Sequence, residues 1–274
     1  LTSLMTSSSI RFSLRRTEIK VCPIPFSRMM FESMQIQNTT EVILALDVES
    51  RSRAETIIQA AGENLKWIKI GLQTYLRDGP TFVCDLASEG KNIFLDLKLH
   101  DIPNTMAKAI ESLSTLPVSM LTIHASAGSE ALARCSDTMR GVLPDATLLA
   151  VTVLTSMDSE NLNRLGVMNT PEDQVTRLAK LATEAGVGGI VCSPKELRSL
   201  RNVLPSTVTF VTPGIRPTGA KLGDQKRVMT PAQAAQAGAN YLVIGRPILE
   251  AKNPEAVIDQ IQKELASSQR ANLS

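Results

Sequence analysis

Four ionisable residues of alternating sign stand at the ends of three short apolar runs. Asp47 closes Leu44-Ala45-Leu46-Asp47, Lys69 lies in Trp67-Ile68-Lys69-Ile70-Gly71, and Asp96 and Lys98 fall in Ile93-Phe94-Leu95-Asp96-Leu97-Lys98. Alternate side chains of a strand share a face, so Asp96 and Lys98 point to the side that Phe94 occupies. Burying such groups costs on the order of several kcal/mol per ion unless they pair and hydrogen-bond. One outcome is a salt-bridge network that only fixes strand register. The other is a preorganised charged site, able to stabilise charge as it develops and to move a proton. Stability alone rarely asks for two carboxylates and two ammonium groups in one place, so the catalytic reading is preferred. Asp101 falls just beyond, in the following loop.

A second group of residues suits an anion. Val211-Thr212-Pro213-Gly214-Ile215-Arg216-Pro217 leaves one apolar run, and a polar loop continues through Gly219, Gly223, Asp224 and Gln225. The last run ends Val243-Ile244-Gly245-Arg246-Pro247. Gly245 lets a backbone N–H approach an oxyanion, and Arg216 and Arg246 add guanidinium donors. A plain turn at Gly245-Arg246-Pro247 is the simpler alternative.

These residues need elements that bring them together. From residue 41 onward, apolar runs fall at 42–47, 67–71, 92–98, 120–124, 147–154, 189–192, 208–212 and 241–245. Several are apolar at nearly every position, as in strands buried on both faces of a parallel sheet. Helical patterns occupy 51–62, 104–114, 128–140, 171–185, 194–202, 231–237 and 253–265. Thr230 before Pro231 reads as an N-cap followed by an N1 proline, and Gly186 and Gly238 read as helix stops. Eight strands alternating with helices predict a (β/α)₈ TIM barrel, an α/β fold typically of about 250 residues. An open doubly wound sheet is the runner-up, but the first run is followed by no G-x-G-x-x-G. In such a barrel the active site lies at the C-terminal ends of the strands, and phosphate often binds after strands seven and eight. Both residue groups above fall at those ends.

Composition narrows the function classes. At 43% hydrophobic and 20% charged, the 274-residue chain can build a large aliphatic core, which excludes a disordered or collagen-like protein. No apolar run approaches the roughly 18–20 residues of a membrane-spanning helix. Cys22, Cys84, Cys135 and Cys192 are widely spaced, which suits reduced thiols in a cytoplasmic protein better than disulfides or zinc. Residues 1–40 carry five basic and two acidic side chains, leaving 24 basic and 25 acidic in residues 41–274. The body has no basic field to attract nucleic acid.

Residues 1–40 are Ser/Thr-rich and lack clear periodicity. They are expected to be an extension outside the fold, disordered or the result of a start assigned upstream of Met29, Met30 or Met34. A transit peptide is the alternative, whereas no apolar core of a secretory signal is present. The barrel domain is expected over residues 41–274.

The string Asp96-Leu97-Lys98-Leu99-His100-Asp101-Ile102-Pro103-Asn104-Thr105 resembles the signature of the orotidine 5′-phosphate decarboxylase family. Leu44-Ala45-Leu46-Asp47, Lys69-Ile70-Gly71, Val151-Thr152-Val153-Leu154-Thr155-Ser156, Thr212-Pro213-Gly214-Ile215-Arg216-Pro217 and Gly245-Arg246-Pro247 also fit, in the family's order. Gly223-Asp224-Gln225 and Met229-Thr230-Pro231 are most similar to its bacterial branch. The resemblance spans residue 41 to about residue 265, and it is the whole set rather than D-x-K-x-x-D alone that is specific.

The resemblance implies a metal-free, cofactor-free conversion of orotidine 5′-monophosphate to UMP and CO₂, the last step of de novo pyrimidine synthesis. It implies that Lys98 protonates C6, that Asp96 faces the substrate carboxylate, and that Lys69 and Asp47 bind ribose hydroxyls and complete the charge network. It assigns Thr155 to the pyrimidine and Arg216, Gln225, Gly245 and Arg246 to the phosphate. Asp101, Ile102 and Thr105 would reach the neighbouring subunit's site, which implies a homodimer.

Two other functions fit parts of the pattern. One is an Mg²⁺-dependent sugar-phosphate decarboxylase or synthase from the same wider barrel group. The other is a silent barrel kept for nucleotide binding, against which the paired Asp96 and Lys98 argue. Some residues attract attention without a clear role. His124 ends a strand and suits a hydrogen-bonded rim position as well as a substrate contact. His100 falls on the Lys98 face by alternation. Trp67 and Tyr75 are expected to pack, Cys84, Cys135 and Cys192 to be buried thiols, and Arg11, Arg15 and Arg16 to form a solvated run.

Overall fold

Strand and helix alternate along the chain as the hydropathy pattern requires. The computed structural model describes residues 40–218 and 228–271. The strands are β1 (Glu41–Ala45), β2 (Trp67–Gly71), β3 (Asn92–Leu99), β4 (Met120–His124), β5 (Thr147–Val151), β6 (Gly189–Val191), β7 (Thr209–Thr212) and β8 (Tyr241–Ile244). All pair in parallel and in sequence order, and β1 closes on β8. The fold is therefore the (β/α)₈ TIM barrel, with strands short enough that each exposes only a few inward positions.

The helices are α1 (Arg51–Ala60), α2 (Leu72–Ser88), α3 (Pro103–Glu111), α4 (Ser129–Val142), α5 (Ser159–Arg164), α6 (Pro171–Glu184), α7 (Leu197–Val203), α8 (Pro231–Gln236), α9 (Arg246–Leu249) and α10 (Pro254–Ala271). Their starts follow from capping chemistry. Thr170 and Thr230 accept hydrogen bonds from Asp173 N and Gln233 N, and a proline follows each at the first helical position. Gly238, just past α8, has φ +100°, a conformation that stops a helix at little cost only for glycine.

Alternation along the strands sorts two cores. Outward residues such as Leu44, Ile68, Ile93, Leu121 and Ile244 are buried against the helices. Inward residues Ile43, Trp67, Phe94, Met120, Leu149, Val211 and Val243 pack together as the barrel floor. Trp67 meets Tyr241 edge to face, with ring centroids 5.0 Å apart, and its indole N–H donates to Glu41 at 3.0 Å. Trp67 is thus a packing residue at the closed end, as expected.

The structure departs from the sequence reading in several elements, among them the short helices α5 and α9, which no helical pattern above covers. Helix α2 is absent from the helical patterns read above, because Gly79 (φ +64°) and Pro80 break it into two arms. The apolar run to residue 154 ends its ladder at Val151, where the shorter β6 stops offering partners. The reading of residues 1–40 as an extension lies outside the described residues except for Thr40, whose hydroxyl donates to Ala239 O at 2.8 Å.

Candidate active site

On the first four strands the inward positions change from apolar at the floor to polar at the C-terminal mouth. The sequence of steps is Ile43, Ala45, Asp47 along β1 and just beyond it, and Trp67, Lys69, Gly71 along β2. It is Phe94, Asp96, Lys98 along β3 and Met120, Thr122, His124 along β4. The period of two that hides the floor residues therefore delivers charges to one end.

The charges meet as a chain. Lys69 Nζ lies 3.2 Å from both carboxylate oxygens of Asp47 and 3.4 Å from Oδ2 of Asp96. Lys98 Nζ donates to that same Oδ2 at 2.7 Å. Thr122 Oγ1 donates to the other oxygen, Oδ1, at 3.0 Å. The side chains of Lys69 and Asp96 are only 9% and 10% exposed, whereas Lys98 is 32% exposed and faces the cavity. Burial pushes the Asp96 carboxyl up, but the Lys69 and Lys98 charges and the hydrogen bonds from Lys98 and Thr122 outweigh it and hold Asp96 below the ordinary carboxylate range. Asp96 is thus a buried anion that its partners keep ionised.

Lys98 has an unusual backbone. Its φ is +50°, the one positive value at a non-glycine residue among those described. Such a conformation costs on the order of 1–3 kcal/mol and persists where surrounding contacts impose it. Here a bulge imposes it: Leu95 pairs with Leu121 and Leu99 with Ile123, so β3 carries extra chain over that stretch. The Lys98 amide consequently donates to Thr122 Oγ1 at 2.9 Å.

Above this chain of charges opens a cavity of about 550 Å³, within the range of small-molecule sites. Asp47, Lys69, Asp96 and Lys98 line one side. From the opposite half of the barrel, Val151, Val153, Val191 and Cys192 add an apolar wall, and Thr155 lies beside them. Gly214, Arg216, Gly245 and Arg246 complete the lining after β7 and β8. Arg216 is 7% exposed, its backbone N–H donates to Met229 O at 3.0 Å, and its Nη1 donates to Ile215 O at 2.9 Å. Its guanidinium is therefore fixed at the cavity edge.

The structure thus brings together Asp47, Lys69, Asp96, Lys98, Thr155, Arg216, Gly245 and Arg246. It leaves Asp101, Ile102 and Thr105 on the exposed rim at the start of α3, outside the cavity lining of their own chain. Asp101 Oδ1 accepts the Ile102 amide at 2.7 Å. Gln225 lies outside the described residues. His124 does not line the cavity and is half-buried, its ring 5.2 Å from that of His100. Burial, and then the His100 and Lys98 charges, lower its pKa against the pull of Asp96. Cys135 and Cys192 are buried as expected, Cys192 beside the cavity, and Cys84 is only partly buried. Among the described residues, no group of three or more His, Cys, Asp and Glu side chains is arranged to hold a metal.

Two contributors escaped the sequence reading. Thr122 carries no charge and sits in an apolar strand, although its alternation with Met120 and His124 marks it as inward. Gly71 was noted only as part of a motif, yet a Cβ there would lie 2.7 Å from Asp47 Oδ1 and 2.9 Å from Lys69 Nζ.

Comparison with known proteins agrees with this geometry. The model of the orotidine 5′-phosphate decarboxylase / HUMPS family matches residues 40–261. The orotidine 5′-phosphate decarboxylase of Opitutus terrae is 50% identical over 227 residues, covering 83% of this chain and 99% of that protein. That of Pseudoalteromonas translucida is 45% identical over 233 residues, covering 85% and 100%. Among solved structures, orotidine 5′-phosphate decarboxylase from Lactobacillus acidophilus superposes with a TM-score of 0.74 at 33% identity, covering 82% of this chain and 99% of that one.

Proposed function

The chain belongs to the orotidine 5′-phosphate decarboxylase / HUMPS family, and from that premise we propose how its residues carry the reaction. The chain is an orotidine 5′-phosphate decarboxylase, a carboxy-lyase that forms UMP and CO₂. The observation that carries the mechanism is the Asp47–Lys69–Asp96–Lys98 chain, in which one oxygen of Asp96 faces both ammonium groups.

The bond between C6 and the carboxylate breaks heterolytically. Its electron pair stays on C6, where the pyrimidine ring delocalises it poorly, and neutral CO₂ departs. Lys98 stabilises that developing charge as an ammonium group held beside the buried Asp96, then delivers its proton to C6. Asp96 holds Lys98 by its 2.7 Å hydrogen bond and faces the substrate carboxylate. Lys69 and Asp47 bind ribose hydroxyls at the mouth, and Thr155 contacts the pyrimidine. Arg216, Arg246, the Gly245 amide and Gln225 grip the phosphate, whose remote binding energy helps lower the barrier.

A second copy of the chain completes the site. Asp101, Ile102 and Thr105 are exposed at the rim, and Ile102 is 66% exposed. Leu72, Leu76, Leu165 and Met168, on connections leaving the same ends of β2 and β5, are exposed as well. A rim this apolar supports burial against a partner, as in a two-fold homodimer. The catalytic unit is residues 41–274, residues 1–40 take no part in the chemistry, and the enzyme works in the cytoplasm, where free thiols stay reduced.

The test is the ultraviolet absorbance of orotidine 5′-monophosphate mixed with the protein in excess EDTA. Conversion to UMP is expected. No conversion in EDTA, with activity on a sugar phosphate restored by Mg²⁺, would transfer the chain to the magnesium-dependent chemistry of related barrels.

A further inference from the structure

Thr122 is fully buried and lies between the two charged residues of β3. Its hydroxyl accepts the Lys98 amide and donates to Asp96 Oδ1, so its single donor is spent on the carboxylate. Both contacts fall where the β3–β4 ladder is interrupted, so the hydroxyl stands in for a missing strand partner. A β-branched side chain is stiff at χ1, which makes the stand-in a fixed one. The two bonds tie the Lys98 backbone, at its strained φ of +50°, to the same carboxylate that its own Nζ grips.

We propose that Thr122 is a positioning residue for decarboxylation: its hydroxyl locks the β3 bulge and the Asp96 carboxylate in one register, so that Lys98 Nζ is held in line with the reacting carbon. This rests on Lys98 as the proton donor. Thr122 itself does not line the cavity and touches no substrate. Its effect falls mainly on the chemical step, because Lys69, at the ribose end, is held by Asp47 as well as by Asp96, and the phosphate end lies across the cavity after β7 and β8.

Thr122→Val removes the hydroxyl at nearly constant shape. It is expected to lower kcat on the order of 10- to 100-fold, with KM and UMP affinity changing less than about threefold. The acid limb of the kcat/KM profile is expected to move to higher pH, because Asp96 loses a donor that favours its ionised form. Thr122→Ser keeps the hydroxyl and is expected to stay within about threefold of the parent. A parent-like kcat in Thr122→Val, or equal impairment of the Val and Ser variants, overturns the proposal. If Thr122→Val does not fold, as judged by circular dichroism, Thr122→Ala takes its place with the same expectations. Lys98→Ala, measured in parallel, separates the two layers. Turnover in Lys98→Ala overturns the proton-donor reading and this proposal together, whereas an inactive Lys98→Ala beside a parent-like Thr122→Val overturns this proposal alone.

Discussion

Gly71 and Lys69 are in such close approach that a methyl group on Gly71 would sit 2.9 Å from Lys69 Nζ and 2.7 Å from Asp47 Oδ1. Both residues point inward on β2, two positions apart, with Lys69 below and the glycine at the mouth. The backbone there is ordinary for any residue, at φ −88°. Space, not conformational freedom, is what requires glycine. Gly71→Ala is expected to displace the ammonium group and lower kcat on the order of tenfold or more, with the barrel still folded. Steady-state kinetics with a thermal melt would check this, and unchanged kinetics would contradict it.

Arg216 is expected to act through the phosphate. Arg216→Ala should lower kcat/KM for orotidine 5′-monophosphate on the order of 100-fold or more, while turnover of orotidine, which lacks the phosphate, stays as slow as in the parent. Comparing both substrates in both proteins makes the measurement. An equal loss on orotidine would mean that Arg216 supports the barrel rather than the anion.

The proposal that two subunits share each site can be tested by mixing two inactive proteins. Lys98→Ala and Asp101→Ala are each expected to be inactive. After subunit exchange, half the dimers are mixed, and each mixed dimer holds one intact site, so about a quarter of the parental activity should return. No recovery despite exchange, verified by mass spectrometry of tagged subunits, would mean that Asp101 serves its own chain. Ile102→Asp is expected to favour monomers in size-exclusion chromatography.

Acid should weaken the fold in two steps. Burial, helped by the His100 and Lys98 charges, depresses the pKa of His124 below the ordinary 6.5. Its contribution to stability is complete above the unfolded pKa and is lost as pH falls through the folded one. The melting temperature should therefore start to fall below about pH 6.5. Asp96, also depressed, gives up its contribution only at lower pH, below the ordinary 3.8. In His124→Gln the first decline should vanish and the second remain. A parent-like first decline in that variant would assign it to another group.

Much of this was legible in the sequence because a barrel strand has a period of two. That period puts Asp96 and Lys98 with Phe94 on one face and sends Asp47 and Lys69 to the same mouth. The alternation of strands and helices likewise reveals the barrel. Helix α2 was not legible, since Gly79 and Pro80 interrupt its pattern at mid-length. Thr122 was not, since a neutral hydroxyl among Leu121 and Ile123 looks like strand filler until the bulge at Lys98 leaves an amide seeking a partner. Asp101 could be placed on the rim but not in its own cavity, because the reading gives it to a neighbouring chain.

The central claim is that Lys98 delivers the proton to C6. The direct measurement is turnover of orotidine 5′-monophosphate by Lys98→Ala, with UMP binding measured by calorimetry on the same preparation. The account predicts no detectable UMP formation while UMP still binds through the phosphate and ribose contacts. Turnover near that of the parent would contradict it.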